Sequence, residues 1–402
     1  MRTDKPQSLL VFSDDWGRHP SSCQHLIRQL LPEFPVLWVN TIGTRAPRLD
    51  WNTVKRVAEK LRQWRPATSQ AQTENSPSGD VRPSSLQVVN PRMWPWFRRS
   101  VDRRINAALL ERQLKPLMER LPQPVTAITT LPITADLPGR LPVSRWLYYC
   151  VDDFAAWPGL DGDTLRRMDD DMIDRADDLV AVSEHLQQQI ARRHREASLL
   201  THGVSLDHWA PESRPLLRTA VPDGPVAVFW GVVDRRLDTA MLTALSETFA
   251  DAMPEAHILL AGPRQDPDPD ILRLPNVVTT GPVPFDELPA LAARADVLIM
   301  PYADLPVTRA MQPLKMKEYL ATGRPVVVSQ LPAVAAWQDA MDVCSSPGQF
   351  VRSVQAAMRD GLSDEHRAAR QRLQQESWTS KARQLRAVIT SSSCGQPTPV
   401  LT

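Results

Sequence analysis

Two residues of opposite charge, Lys315 and Glu318, stand three apart in the run Thr308–Ser329, TRAMQPLKMKEYLATGRPVVVS. On a helix that spacing puts an ammonium and a carboxylate on one face. A helix start carries uncommitted N–H groups and a partial positive charge, so with Lys315 beside it the Pro313–Leu314 segment makes an anion site. A carboxylate one turn further in accepts hydrogen bonds from sugar hydroxyls. The pair would suit a sugar nucleotide, with diphosphate at the helix start and ribose on Glu318; a solvated Lys–Glu pair is the bland alternative. Two more groups fall where chemistry is done. Asp14, Asp15, Gly17, Arg18 and His19 follow a first apolar strand, where Gly17 permits close backbone approach to a ligand and His19 offers a hydrogen-bond donor or is a loop histidine without a role. Asp152 and Asp153 follow another strand, where they could orient an acceptor hydroxyl, move a proton, or cap the next helix.

These residues need a frame, and the pattern supplies one. Pro313 suits a first helical turn, Gly323 a left-handed helix end, and Val326–Val328 a buried parallel strand. Leu9–Ser13, a helix with Leu26, Ile27, Leu30 and Leu31 on one stripe, and Val36–Asn40 make a strand–helix–strand unit. Strands are expected again at 86–90, 125–130, 146–151 and 179–182, and then at 226–230, 257–261, 277–281, 296–300 and 326–328. The fold class is α/β with parallel sheets, and in such sheets ligands bind beyond the carboxyl ends of the strands. Residues 45–64 read as a basic helix and 65–85 as a mobile surface loop. Trp94, Trp96 and Phe97 adjoin Arg98 and Arg99, an aromatic and basic cluster that is a candidate peripheral membrane contact or, alternatively, packed rings under a solvated basic face.

The stretch PLKMKEYLATGRPVV (313–327) resembles the donor-binding segment of retaining glycosyltransferases of family 4, the glycosyl transferases group 1, which have the GT-B architecture. Most members carry Glu-x7-Glu; here Glu318 matches the second Glu and Ala310 stands at the first, so the chain resembles a subgroup lacking it. The segment 275–302, with its Asn276–Val277 turn, Gly281, and the ADVLIMPY strand, is similar to the same family, as is the LLTHGVSLDHW turn at 199–209. The loop after 226–230 resembles the one that holds the donor phosphates, although Val232 replaces the usual Arg. Arg235 and Arg236 are the nearest substitutes, with guanidinium forks that suit a diphosphate. Arg236 is preferred because it precedes the Leu237–Asp238 that opens the helix.

The resemblance implies two Rossmann-like domains facing across a cleft: an acceptor-side domain (1–209), a linker (210–225), a nucleotide-sugar domain (226–375), a helix packing back on the first domain (376–389) and a disordered tail (390–402). It implies sugar transfer from a nucleotide-diphosphate sugar to a glycan or lipid-linked acceptor with retention, in exopolysaccharide or cell-envelope glycan synthesis. It implies no metal or other cofactor. Catalytic roles fall to Arg236, Lys315 and His19. Donor contacts fall to Gly17, Arg235, Arg236, Thr308, Arg309, Pro313, Leu314, Lys315 and Glu318, and acceptor-side contacts to Asp152 and Asp153. Alternatives are a nucleotide-sugar epimerase of the same fold and a catalytically weakened scaffold for another glycosyltransferase, the latter suggested by the missing Glu and Arg.

Bulk properties narrow the classes. A formal charge of +1 gives no overall pull toward nucleic acid, so no nucleic-acid partner is expected. The four cysteines, Cys23, Cys150, Cys344 and Cys394, lack metal-ligand spacing and suit a reducing compartment. The N-terminal apolar run is too short for a signal h-region, and no stretch is long enough to span a bilayer. The expected location is therefore cytoplasmic, with peripheral attachment to the inner membrane face as a candidate.

Overall fold

The computed structural model describes residues 7–17, 21–40, 85–157, 159–210 and 217–391. Arg18, His19, the helix expected at 45–64, all but the last residue of the loop expected at 65–85, most of the first half of the linker and the tail from 392 lie outside the described residues. The chain divides into two compact units. One comprises Met1–Ala181, Gln187–Leu199 and Ala382–Thr402; the other comprises Val182–Leu186 and Leu200–Lys381.

The first unit is built on a seven-stranded parallel sheet. Its strands are β1 (Ser8–Ser13), β2 (Val36–Asn40), β3 (Leu86–Val89), β4 (Val125–Thr129), β5 (Arg145–Cys150), β6 (Asp178–Ala181) and β7 (Ser198–Leu199), in the order β3-β2-β1-β4-β5-β6-β7. β1 is buried along its whole length, with Leu10 opposite both Leu37 and Ala127. That is why LLVF is apolar without alternation. Among the described residues three helices belong wholly to this unit: α1 (Ser22–Leu30), α2 (Ser100–Met118) and α3 (Gly162–Arg175). Ser21 caps α1 by accepting from the Gln24 backbone N–H, and Leu26, Ile27 and Leu30 fill the core side. β7 was not expected; its two residues, Ser198 and Leu199, are exposed and too few to show an apolar run.

The second unit holds a six-stranded parallel sheet of β8 (Val226–Trp230), β9 (His257–Ala261), β10 (Val277–Gly281), β11 (Val297–Met300), β12 (Val326–Ser329) and β13 (Asp342–Cys344), ordered β10-β9-β8-β11-β12-β13. In chain order its helices are α4 (Glu184–Ala191, shared with the first unit), α5 (Leu206–Trp209), α6 (Thr239–Ala252), α7 (Leu288–Arg294), α8 (Pro306–Ala310), α9 (Leu314–Ala321), α10 (Pro347–Asp360), α11 (Asp364–Ala369) and α12 (Trp378–Thr390, shared). Phe229, Ile258, Leu259 and Ile299 are fully buried, and each such side chain contributes about 1.5–3 kcal/mol. Strand order reverses between β8 and β11, so the crevice that a doubly wound sheet offers to ligands opens at their carboxyl ends.

Pro313 is the residue before α9 rather than part of its first turn, with ψ at 117°. Thr308 and Arg309 belong to the one-turn helix α8.

Candidate functional site

At the β8/β11 switch point the second unit gathers charge. Gly231 follows β8 with φ at 135°, and a Cβ there would overlap the Lys315 ammonium. Gly262, which follows β9, faces the Gly231 carbonyl so closely that it too has no room for a Cβ. Into the space so left reaches Lys315, from the first turn of α9. Its Nζ donates to Tyr302 Oη at 2.7 Å and lies 4.2 Å from the Phe229 ring centroid. A cation over an aromatic face is attracted by the ring quadrupole, so the ammonium is positioned before any ligand arrives.

Arg236 completes the positive side. Its guanidinium donates to Asp234 Oδ2 at 2.7 Å and lies 5.7 Å from the Tyr302 ring centroid. The backbone ties this loop to the one after β11: Asp238 N–H donates to the Pro301 carbonyl and Ala303 N–H to the Arg236 carbonyl, each at 2.8 Å. Its side chain is 12% exposed, whereas that of Arg235, paired with Asp266, is 59% exposed. The geometry thus separates the two arginines, putting Arg236 beside Lys315 through Tyr302 and Arg235 on the surface.

Glu318 lies one turn along α9. The Trp230 indole Nε1 approaches its carboxylate at 3.5 Å, and the Trp230 backbone N–H donates to Tyr319 Oη at 3.0 Å. Burial raises the Glu318 carboxyl to about 7, against the opposing pull of Trp230 and of Lys315. A carboxyl at that value binds or releases its proton near neutrality.

Other expected site residues fall elsewhere. Thr308 is fully buried, and its hydroxyl donates to the Ala303 carbonyl at 2.5 Å while accepting the Leu305 N–H at 2.9 Å. It caps α8. Arg309 pairs with Asp304 at 2.5 Å. Arg309 and Asp304 line a cavity of about 470 Å3 together with Asp238, Tyr302, Ser329 and Gln330. Ala310, where the resemblance would have a carboxylate, is buried.

Gly17 has φ at 80°, and its N–H donates to Gln24 Oε1 at 2.9 Å. Asp153 caps a short 3-10 turn by accepting the Ala155 N–H at 3.1 Å, and it also accepts from Gln189. Asp152, beside it, is half-buried. His19 lies outside the described residues. Asp169, which sequence reasoning missed, accepts from Tyr148 Oη at 2.5 Å and is pushed up to about 6 by burial.

Tyr302, Trp230, Phe229 and Asp234 were also missed. The available signal was positional, since Trp230 ends β8 and Tyr302 stands two residues past β11. A strand end at a switch point faces the crevice whatever its residue type.

Known proteins share parts of this description. Residues 224–364 match the family described as glycosyl transferases group 1. That segment contains the two glycines, Arg236, Lys315 and Glu318. TuaH of Bacillus subtilis (strain 168), named as a teichuronic acid biosynthesis glycosyltransferase, is 29% identical over 177 residues, which are 42% of this chain and 44% of that one. The chain thus matches less than half the length of that relative. Sucrose-phosphate synthase from Thermosynechococcus elongatus has a TM-score of 0.67 at 15% identity, over 95% of this chain and 98% of its own. Anabaena Alr3699/HepE, solved in complex with UDP and glucose, gives 0.63 at 13% identity, over 96% and 100%. At these identities the likeness is one of fold: the chain has the GT-B fold, two parallel-sheet α/β domains.

Proposed function

We propose that this protein is a glycosyltransferase that takes a nucleotide-diphosphate sugar at the β8/β11 switch point of the second unit. The observation that carries it is the convergence of Lys315 beside Gly231, Arg236 over the Tyr302 ring that Lys315 also meets, and Glu318 beside Trp230. Lys315, Arg236 and the α9 N–H groups bind the diphosphate, and Glu318 accepts from the ribose hydroxyls. The match to the group 1 family over 224–364 supports this assignment.

The transfer we assign is a retaining, front-face one. The bond from the anomeric carbon to the diphosphate oxygen breaks, a bond to the acceptor oxygen forms on the same face, and the acceptor proton passes to the leaving diphosphate. The protein stabilises charge as it develops on that diphosphate, which assigns the role of electrophile to Lys315 and Arg236. The acceptor we assign is an envelope glycan or its lipid-linked precursor, in line with the name of the B. subtilis relative.

Thermal shift against UDP, GDP, ADP and TDP, with and without magnesium, tests the donor site, because a ligand of the folded state raises the midpoint. One diphosphate should raise it, equally in both conditions. NMR of the product's anomeric centre then tests retention. A second reading, a weakened relative serving as a scaffold, is favoured by buried Ala310 and by Val232. It predicts no shift with any of the four.

A further inference from the structure

Among the described residues four large apolar side chains are exposed, and Trp94, Val101 and Ile105 are three of them. They form one surface of the first unit. Val101 and Ile105 are four apart in α2, and exposed Ala108 and Arg112 continue that face. Trp94 is held alongside: its backbone N–H donates to Asn106 Oδ1 at 2.7 Å and its indole Nε1 to Asp102 at 3.0 Å. Neighbouring Met93 and Phe97 are buried, so the segment is anchored from below.

Arg98, Arg99 and Arg104 are exposed around these side chains. The nearby carboxylates are already engaged. Asp102 accepts the Trp94 indole and the Arg99 N–H, Glu111 pairs with Lys115 and Arg140, and Asp161 lies 3.4 Å from Arg98, whose side chain is still 81% exposed. The face is apolar at its centre and positive at its rim. A second copy docked on the same face would set arginines against arginines. An anionic surface with an apolar layer beneath satisfies both features, with tryptophan at the headgroup level.

We propose that this face docks the protein on an anionic lipid bilayer. Trp94, Val101 and Ile105 enter the boundary between headgroups and acyl chains, and Arg98, Arg99 and Arg104 meet lipid phosphates. The proposal deepens the function above, resting on it only for the lipid-linked acceptor that such docking would bring within reach. Each arginine near an anionic surface is worth roughly a fivefold gain in binding.

Sedimentation of the full chain with phosphatidylcholine vesicles, with and without phosphatidylglycerol, tests it. The protein should sediment with the anionic vesicles only and detach as salt rises. Trp94→Ser with Ile105→Ser, and separately Arg98→Glu with Arg99→Glu and Arg104→Glu, should each lower the bound fraction at least tenfold while leaving any nucleotide-induced thermal shift unchanged. Should the apolar pair not fold, the arginine set, on exposed side chains, carries the test. No sedimentation of the wild type, or equal sedimentation of the arginine variant, overturns the proposal. So does a wild-type dimer in analytical ultracentrifugation that Ile105→Ser dissolves, which would assign the face to a second copy. Vesicle binding without any nucleotide shift would overturn the donor site and leave this surface standing.

Discussion

Lys315 is held by groups that do not neutralise it. Its partners are a neutral hydroxyl and two aromatic faces, so its charge is available to an incoming anion. Lys315→Ala should weaken nucleotide diphosphate binding about 10- to 100-fold, the range for loss of a charge-assisted hydrogen bond, as calorimetry would read it. Gly231→Ala should do nearly the same without touching a charge, because the new methyl takes the place of the ammonium. Unchanged affinity in that variant would remove Lys315 from the site. Glu318 adds a pH dependence. Its carboxyl is raised from an ordinary 4.5 to about 7, so the stability it contributes is whole below pH 4.5 and is lost as pH rises through about 7. Ionisation over the same range improves it as a hydrogen-bond acceptor. Nucleotide affinity of the wild type should therefore rise relative to that of Glu318→Gln as pH increases from 6 to about 8, and parallel curves would show that this carboxyl does not meet the ligand.

At the scale of elements, α9 is fixed by a residue the anion site does not use. Lys317, next to Glu318, is almost fully buried; its ammonium donates to Thr201 Oγ1 at 3.1 Å, to the His202 carbonyl at 2.5 Å, and to Glu376. Burial lowers it to about 8, with Glu376 pulling the other way. Lys381 pairs with the same carboxylate at 2.8 Å. Glu376→Gln leaves two buried ammonium groups facing each other and should cost about 3–5 kcal/mol in urea unfolding. Adding Lys317→Met should recover much of that, and if it recovers nothing, α9 is anchored by packing alone. Apart from the two-residue β7 and the three-residue β13, the strands of both sheets were legible to within a residue or two, because buried parallel strands are short apolar runs and little else in the chain imitates them. Lys317 was not legible as an anchor: KMKEY presents two lysines two apart, and only the fold decides that one is buried against Glu376, 59 residues on. The Thr308 hydroxyl's partners, Ala303 and Leu305, were not legible either, because they are set by local turn geometry.

For the whole molecule, each unit has its own sheet and core, and the proposed donor site lies wholly within the second. A nucleotide at 100 times its dissociation constant adds about 2.7 kcal/mol to the state that binds it. Hydrogen exchange should show slower exchange in β8, β11 and β12 on nucleotide addition, with smaller changes in β1 and β4. Equal protection in both sheets would mean that the ligand acts on the chain as one body. The GT-B fold was legible from the αβ alternation and the family-like segments together. The division of residues was less so, because α4 and α12 each carry residues of both units and no turn or composition shift marks the change inside a helix.

The make-up of the first unit bears on how the chain is born. Leu385 and Ile389 of α12 are buried, Arg386 pairs with Glu33 at 2.5 Å, and Arg145 reaches Ser391, so the first unit is finished by the last described helix. A ribosome adds about 5–20 residues per second, so Ala382 emerges roughly ten to forty seconds after Leu199. During that interval the earliest sheet stands with an uncovered apolar strip while the second unit is being made. The nascent chain therefore carries a timed vulnerability, in which a chaperone or a slow stretch of codons would act on the first unit although its own sheet has already been translated.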